Sequence, residues 1–134
     1  MLKDIEHPVS EGVTISAIYE MGNNEEMVWN IYILNYKSST IEGILVTSKG
    51  YGQHGEEIIK TSTLRHFVPE IAPQMAARIE PLQEDVFELT NEYFVTYYEG
   101  NTLYERKFVF EPYAINIKKT VHITFMGQFG IEVV

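Results

Sequence analysis

The amino-acid sequence predicts an all-β fold, an antiparallel β-sandwich of about 7–9 short strands with at most one short helical turn. Short apolar runs are separated by turn residues at intervals of about 8–12 residues, a spacing typical of all-β domains. Aromatic residues make up 13% of the chain, and they suit pleated, half-buried surfaces. No stretch has the apolar spacing of a long helix. With 134 residues, 45% of them apolar, residues 1–134 are expected to form a single domain.

The first two predicted strands differ in how much of their surface is buried. Residues Val13–Tyr19 alternate with period two, which predicts a strand with one inward face. Residues Met27–Tyr36 have almost no polar face, so this strand is expected to be central in its sheet or covered on both sides. The predicted inward residues are Val13, Ile15, Ala17 and Tyr19 on the first strand and Trp29, Ile31 and Ile33 on the second.

The middle of the chain predicts shorter strands between breaks. A third strand is expected over Ile41–Ser48, followed by a glycine-rich loop over Lys49–Gly55. The β-branched residues of Glu57–Phe67 favour a further strand. Met75–Ile79 fits one helical turn or a short strand ending at Pro81, and the strand is favoured because proline restricts the residue before it and the run is too short for a stable helix. The predicted inward residues of the third strand are Ile44 and Val46.

The last third of the chain predicts a hairpin and an apolar end. A connection over Gln83–Asn91 is expected to hold a helical turn. The runs Glu92–Tyr98 and Leu103–Phe110 flank Gly100-Asn101, a pair that can adopt the positive φ angles of tight hairpin turns. A strand is then expected over Thr120–Phe125, with Val121, Ile123 and Phe125 inward. The tail Ile131–Val134 is expected to add a final strand or to contact a partner.

Two details resemble the immunoglobulin or fibronectin type III sandwich. A lone tryptophan, Trp29, lies on an early central strand, and Tyr93 opens a strand after the corner Leu89–Glu92, as in a tyrosine corner. This resemblance covers residues 13–110 and concerns architecture only. The chain is also faintly similar to the bacterial ApaG sandwich, in a glycine-rich loop after a central strand and a later strand led by proline. Both likenesses imply a shape and carry over no functional residue.

Composition narrows the classes of partner. The formal net charge is −9, from 19 acidic against 10 basic residues. No run of basic residues longer than a pair, such as Lys118-Lys119, occurs in the sequence, so neither nucleic acid nor an anionic membrane is an expected partner. The sequence has no cysteine, no secretory signal at its start and no run of about 18 apolar residues. A cytoplasmic location without disulfides is therefore expected.

The segment Gly50–Gly55 matches the pattern G-x-G-x-x-G. In dinucleotide sites such glycines let backbone amides approach a pyrophosphate at the start of a helix. Here β-branched residues follow instead of a helix, which favours a flexible hairpin loop. The alternative is a small-molecule or anion site in this loop. Its candidate ligand-binding residues are Gly50, Gly52, His54 and Gly55.

The sequence predicts no catalytic residue, no metal site and no cofactor. The four histidines, His7, His54, His66 and His122, have no metal-ligand spacing between them. No Gly-x-Ser-x-Gly elbow or Ser-x-x-Lys pair is present.

Aromatic residues crowd the predicted hairpin. Each strand has only one inward face, so the hairpin is expected to expose some of them, and exposed aromatic residues form contact surfaces. The candidate interaction residues are Phe94, Tyr98 and Tyr104. The leading hypothesis is a non-catalytic protein-interaction or structural module that self-associates, as a homodimer, through this aromatic face. The alternative is a small-molecule or anion-binding protein, or a weak enzyme, using residues 49–55.

Overall fold

A computed structural model describes residues 10–134, except for the side chain of His54. His7 and that side chain therefore lie outside the described residues. Two 3₁₀ turns, Glu84–Val86 and Ile117–Lys119, accompany the strands. The strands are β1 (Val13–Met21), β2 (Met27–Asn35), β3 (Ile41–His54), β4 (Glu57–Lys60), β5 (Leu64–Ile71), β6 (Met75–Leu82), β7 (Thr90–Glu99), β8 (Thr102–Phe110), β9 (Val121–Ile123) and β10 (Gln128–Val133).

The strands form two antiparallel sheets that pack against each other. Sheet I has the order β6-β2-β1-β10-β9. Sheet II is built on β3, which pairs with β7 on one side and with β4 and β5 on the other, and β8 completes it beyond β7. The predicted all-β sandwich is confirmed, with ten strands and two short helical turns in the described residues instead of about 7–9 strands and at most one turn. Among the described residues, no helix has the length and apolar character needed to cross a membrane.

The core lies between the sheets, where the sequence pattern predicts it. The inward residues predicted for β1, β2 and β3 are buried there, and Tyr19 is half-buried against them. Sheet II contributes Tyr93, Val95 and Tyr97 from β7. The alternation of apolar residues therefore predicted the inward face correctly on each of these strands.

A second apolar cluster covers the outer face of sheet I. Ile18 and Leu34 are fully buried there, and Phe125 and Met126, from the turn between β9 and β10, pack against the cluster. This turn explains why β2 has almost no polar face. The prediction of an inward row over Thr120–Phe125 was wrong: β9 ends at Ile123, and Val121 is 58% exposed. Ile123 and Phe125 belong to this outer cluster and not to the core between the sheets.

The glycine-rich segment is a strand, not a loop. β3 continues through His54, and β4 and β7 pair with this second half. The single strand predicted over 57–67 is two strands that pair with successive halves of β3. Residues 61–63 separate them. The hydroxyl oxygen of Thr61 accepts a hydrogen bond from the Gly50 amide at 2.7 Å. Both differences follow from long-range pairing, which local propensity does not specify.

The end of the chain agrees with most of its predictions. β7 and β8 form the predicted hairpin, with Gly100 at φ 61° in the two-residue turn, as a primed turn requires. A 3₁₀ turn occupies the predicted connection, and the tail forms β10 beside β1. β6 continues through Pro81, because it pairs only with β2 and an edge strand tolerates proline. The hydroxyl of Tyr93 donates to the Glu80 side chain at 3.1 Å, whereas a tyrosine corner bonds to upstream backbone.

Candidate functional site

The outer face of sheet II exposes an apolar band. Along β7 the buried residues Tyr93 and Tyr97 alternate with Phe94 and Tyr98, which are 37% and 45% exposed. Outward neighbours continue the band: Leu45 on β3 is 40% exposed and Phe67 on β5 is 65% exposed. Apolar side chains therefore meet solvent on adjacent strands.

Strand register places these side chains in three neighbouring rows across the sheet. The middle row runs Phe67, Leu45, Thr96, Glu105. The row on one side of it runs Arg65, Thr47, Phe94, Lys107. The row on the other side runs Glu70, Glu42, Tyr98, Leu103. We call these three rows the outer face of sheet II. The name includes Lys49 and Glu92, which lie beyond the row that contains Phe94.

Charge is distributed unevenly along this face. One end carries the acidic pair Glu42 and Glu70, which are opposite each other on β3 and β5. The other end carries Arg65, Lys107 and Lys49. Glu92 lies at this basic end, where its carboxylate is 3.6 Å from the Lys49 ammonium and 3.9 Å from that of Lys107. The face therefore has an apolar centre between an acidic end and a basic end.

Of the three predicted interaction residues, the structure brings only two together. Phe94 and Tyr98 share the outer face of sheet II, but Tyr104 lies on the inner face of β8. Its ring stacks on the ring of Tyr97, with centroids 5.4 Å apart and planes 15° from parallel. Tyr104 is half-buried against the core. Because Tyr97 and Tyr104 are directly opposite across the hairpin, they point to the same side, and Tyr97 is inward.

The glycines at 50 and 52 are explained by packing. A Cβ on Gly50 would lie 3.0 Å from Cγ2 of Thr61, and a Cβ on Gly52 would lie 2.9 Å from Cδ2 of Leu89. The Gly50 amide is already bonded to Thr61, so it is not free to bind an anion. Gly55 has φ +64° at the turn into β4 and open space around it. The spacing of Gly50, Gly52 and Gly55 therefore reflects close approach and turn geometry.

Two clefts adjoin this segment. One, of about 730 Å³, lies beside Lys49, Gly50, Gly52 and Lys60. The other, of about 290 Å³, lies between the sheets and includes Gly50 with Ser48, Glu80 and Tyr93. Neither cleft is lined by Gly55.

A polar cluster centred on Glu80 adjoins the second cleft, which three of its members, Ser48, Glu80 and Tyr93, line. The Glu80 side chain is 10% exposed. Ser48 Oγ donates to its Oε1 at 2.8 Å, His66 Nε2 lies 2.7 Å from the same oxygen, and the Tyr93 hydroxyl donates to Oε2 at 3.1 Å. Burial, followed by the charge and hydrogen bond of Glu80, raises the pKa of Tyr93. The hydroxyl therefore stays protonated and remains a donor.

Sequence reasoning did not find the Glu80 cluster. Its four residues come from β3, β5, β6 and β7, and no spacing along the chain links them. The arrangement differs from a catalytic triad, in which a histidine lies between serine and carboxylate. Here the carboxylate lies between the serine and the histidine. The one available signal was an acidic residue in the short apolar run before Pro81.

An acidic groove of about 760 Å³ lies at the end of sheet I, beside the β1–β2 turn. Its carboxylate Glu20 accepts hydrogen bonds from Asn30 and Tyr32 at 2.7 Å each. Burial, then the hydrogen bond to Glu20, raises the pKa of Tyr32 to about 12. Within residues 10–134, no group of three or more histidine, aspartate or glutamate residues is arranged to hold a metal ion.

Comparisons with known proteins gave no relative. No family model matches the chain, no match was found among curated proteins, and no solved structure matches it.

Proposed function

We propose that this protein is a non-catalytic, cytoplasmic interaction module that self-associates through the outer face of sheet II. The observation that carries the proposal is the exposed apolar band formed by Phe67, Leu45, Phe94 and Tyr98. Exposed aromatic residues on adjacent strands are typical of protein contact surfaces. The corresponding face of sheet I has its centre covered by the chain's own β9–β10 turn.

Charge also favours this face for contact between copies. The whole chain carries −9, which opposes association of two copies at most surfaces. The outer face of sheet II has three basic residues, Arg65, Lys49 and Lys107, against four acidic residues, so its formal charge is −1. Repulsion between two copies is therefore small at this face.

The size of the face sets the expected affinity. Four strands about 4.8 Å apart and about eight residues long at 3.4 Å per residue give a flat area of roughly 19 Å by 27 Å. Stable interfaces bury about 800 Å² of accessible surface per partner, and smaller ones are weak. We therefore expect dissociation constants in the micromolar range.

Replacing Phe94 by serine is expected to weaken the dimer at least tenfold. A two-fold dimer loses two copies of the ring, and about 1.4 kcal/mol of lost apolar burial corresponds to a factor of ten. Sedimentation equilibrium from about 1 to 500 μM, a range around that affinity, measures the change. The matched control is Phe129→Ser, because Phe129 is an exposed strand phenylalanine, 54% exposed, in sheet I. A monomeric wild type across this range, or equal weakening by both variants, would contradict the proposal.

We propose small-molecule binding in the cleft between the sheets as a second candidate function. The observation that favours it is the buried carboxylate of Glu80 beside the hydroxyls of Ser48 and Tyr93. A small polar molecule that carries an ammonium group or hydroxyl donors would complement these acceptors. Since the Gly50 amide is occupied, this candidate uses the cleft, with Lys49 and Gly50 at its edge, instead of an anion-binding loop.

A thermal-shift panel of amines, sugars, phosphates and nucleotides tests this second candidate. A ligand at a hundredfold excess over its dissociation constant is expected to stabilise the fold by about 2.7 kcal/mol. The variant Glu80→Gln keeps the size of the side chain but loses its charge. It is expected to abolish the shift caused by an amine. A shift in melting temperature that persists in Glu80→Gln would count against cleft binding. So would a wild type whose melting temperature no compound of the panel changes.

A further inference from the structure

Given the proposed function, we infer that two copies of this chain pack their outer faces together with strand directions reversed. In this arrangement the basic end of one copy, marked by Arg65, lies over the acidic end of the other, marked by Glu42 and Glu70. The inference rests on the proposed self-association and adds the orientation of the partner and the charges that select it.

The apolar rows have the symmetry that such a dimer requires. Along β7, Phe94 and Tyr98 lie two residues on either side of Thr96. A two-fold axis that runs along the Thr96 row, in the plane of the interface, exchanges the Phe94 row with the Tyr98 row. Phe94 of one copy then packs against Tyr98 of the other, twice in the dimer. A two-fold interface uses the same patch on both copies, so this patch must be complementary to itself.

The charges at the two ends of the face are complementary under the same rotation, whereas Glu105, in the middle row, lies over its counterpart in the other copy. The axis crosses the strands, so β5 of one copy lies over β5 of the other. Arg65 and Glu70 are both on β5, in rows on opposite sides of the middle row. Arg65 of one copy therefore lies near Glu70 and Glu42 of the other, and the contact occurs twice. Complementary charges of this kind select partner and orientation more than they add affinity.

The other two-fold arrangement brings the basic residues of the Arg65 row together. An axis parallel to the strands keeps each end over the same end of the partner and exchanges β5 with β8. Arg65 and Lys107 occupy the same row, on β5 and β8 respectively. They would then face each other, which disfavours this arrangement. The two orientations thus predict opposite effects for reversal of the charge at position 65.

Charge-reversal variants test the orientation. Arg65→Glu places an acidic residue at both ends of β5, and the double variant Glu42→Lys/Glu70→Lys makes both ends of that strand basic. Each variant alone is expected to dimerise about tenfold more weakly than the wild type. An equimolar mixture of the two is expected to restore a heterodimer at about the wild-type affinity, because every basic end again faces an acidic end. Sedimentation equilibrium with one variant fluorescently labelled measures all three.

Two controls separate this effect from a change in net charge. Lys118→Glu changes the net charge by the same amount as Arg65→Glu, and Glu56→Lys/Glu57→Lys changes it by the same amount as the double variant. These three positions are exposed and lie outside the rows of the outer face. Both controls are expected to dimerise within about twofold of the wild type. Far-UV circular dichroism checks that each variant is folded.

The outcomes distinguish this inference from the proposed function. Stronger dimerisation of Arg65→Glu, or the absence of heterodimer from the mixture, would overturn the orientation while Phe94→Ser still disrupts the dimer. A wild type that stays monomeric would overturn the self-association itself, and the orientation with it. Weak homodimers and a restored heterodimer support the inference.

Discussion

Tyr93→Ala is expected to lower the free energy of unfolding by about 4 kcal/mol. Tyr93 is buried, and its ring meets the ring of Phe110 edge to face, with centroids 6.0 Å apart. Alanine leaves a cavity between the two sheets and removes the hydroxyl that donates to Glu80. Chemical denaturation monitored by circular dichroism measures the loss as a lower midpoint.

Tyr93→Phe separates packing from hydrogen bonding. The ring remains, and only the hydroxyl donor to the Glu80 carboxylate is lost. We expect a cost of about 1 kcal/mol, since Ser48 and His66 still contact Glu80 Oε1. A cost for Tyr93→Phe close to that of Tyr93→Ala would show that the polar cluster, and not the ring, dominates the stability of this region.

Gly130→Ala is expected to destabilise the fold by about 3 kcal/mol. Gly130 lies on β10 opposite Ile18 of β1. A Cβ there would collide with the backbone carbonyl oxygen of Ala17 and lie 2.9 Å from Cδ1 of Ile18. Because a backbone atom cannot rotate away as a side chain does, β1 and β10 must separate locally. Urea denaturation and amide exchange along β1 report the loss.

Gly127→Ala is the matched control for Gly130→Ala. Gly127 is in the turn before β10, with φ +67°, and no atom lies within 4 Å of the position that a Cβ would take. Its substitution adds only the backbone strain of a left-handed residue, about 1 kcal/mol. Equal costs for the two variants would mean that the β1–β10 pair accommodates the methyl group easily.

Much of the fold follows from local pattern. The period-two alternation of Val13–Tyr19 and the Gly100-Asn101 turn are short-range signals, and both predictions hold. The nearly all-apolar run of β2 was expected to be central in its sheet or covered on both sides, and both of its faces are covered. These features depend on neighbours within a few residues, so a single sequence contains the information for them.

The candidate sites were predictable only in part. Phe94 and Tyr98 were expected on an exposed face because one side of a hairpin must point outward. Whether Tyr104 joins them depends on register across the hairpin, and a one-residue change in pairing reverses the face. Leu45 and Phe67 complete the surface from β3 and β5, and no sequence signal connects them to β7.

The sequence by itself determined that this chain is an all-β sandwich with one inward apolar row on each core strand, because side-chain alternation is a local property. Tertiary structure decided the rest. Long-range pairing with β4 and β7 extended β3 through the glycines, and the meeting of four strands assembled the Glu80 cluster. Register across sheet II placed acidic and basic ends around an apolar centre. Contacts between distant residues are set by the packing of whole sheets, which no short window of sequence specifies.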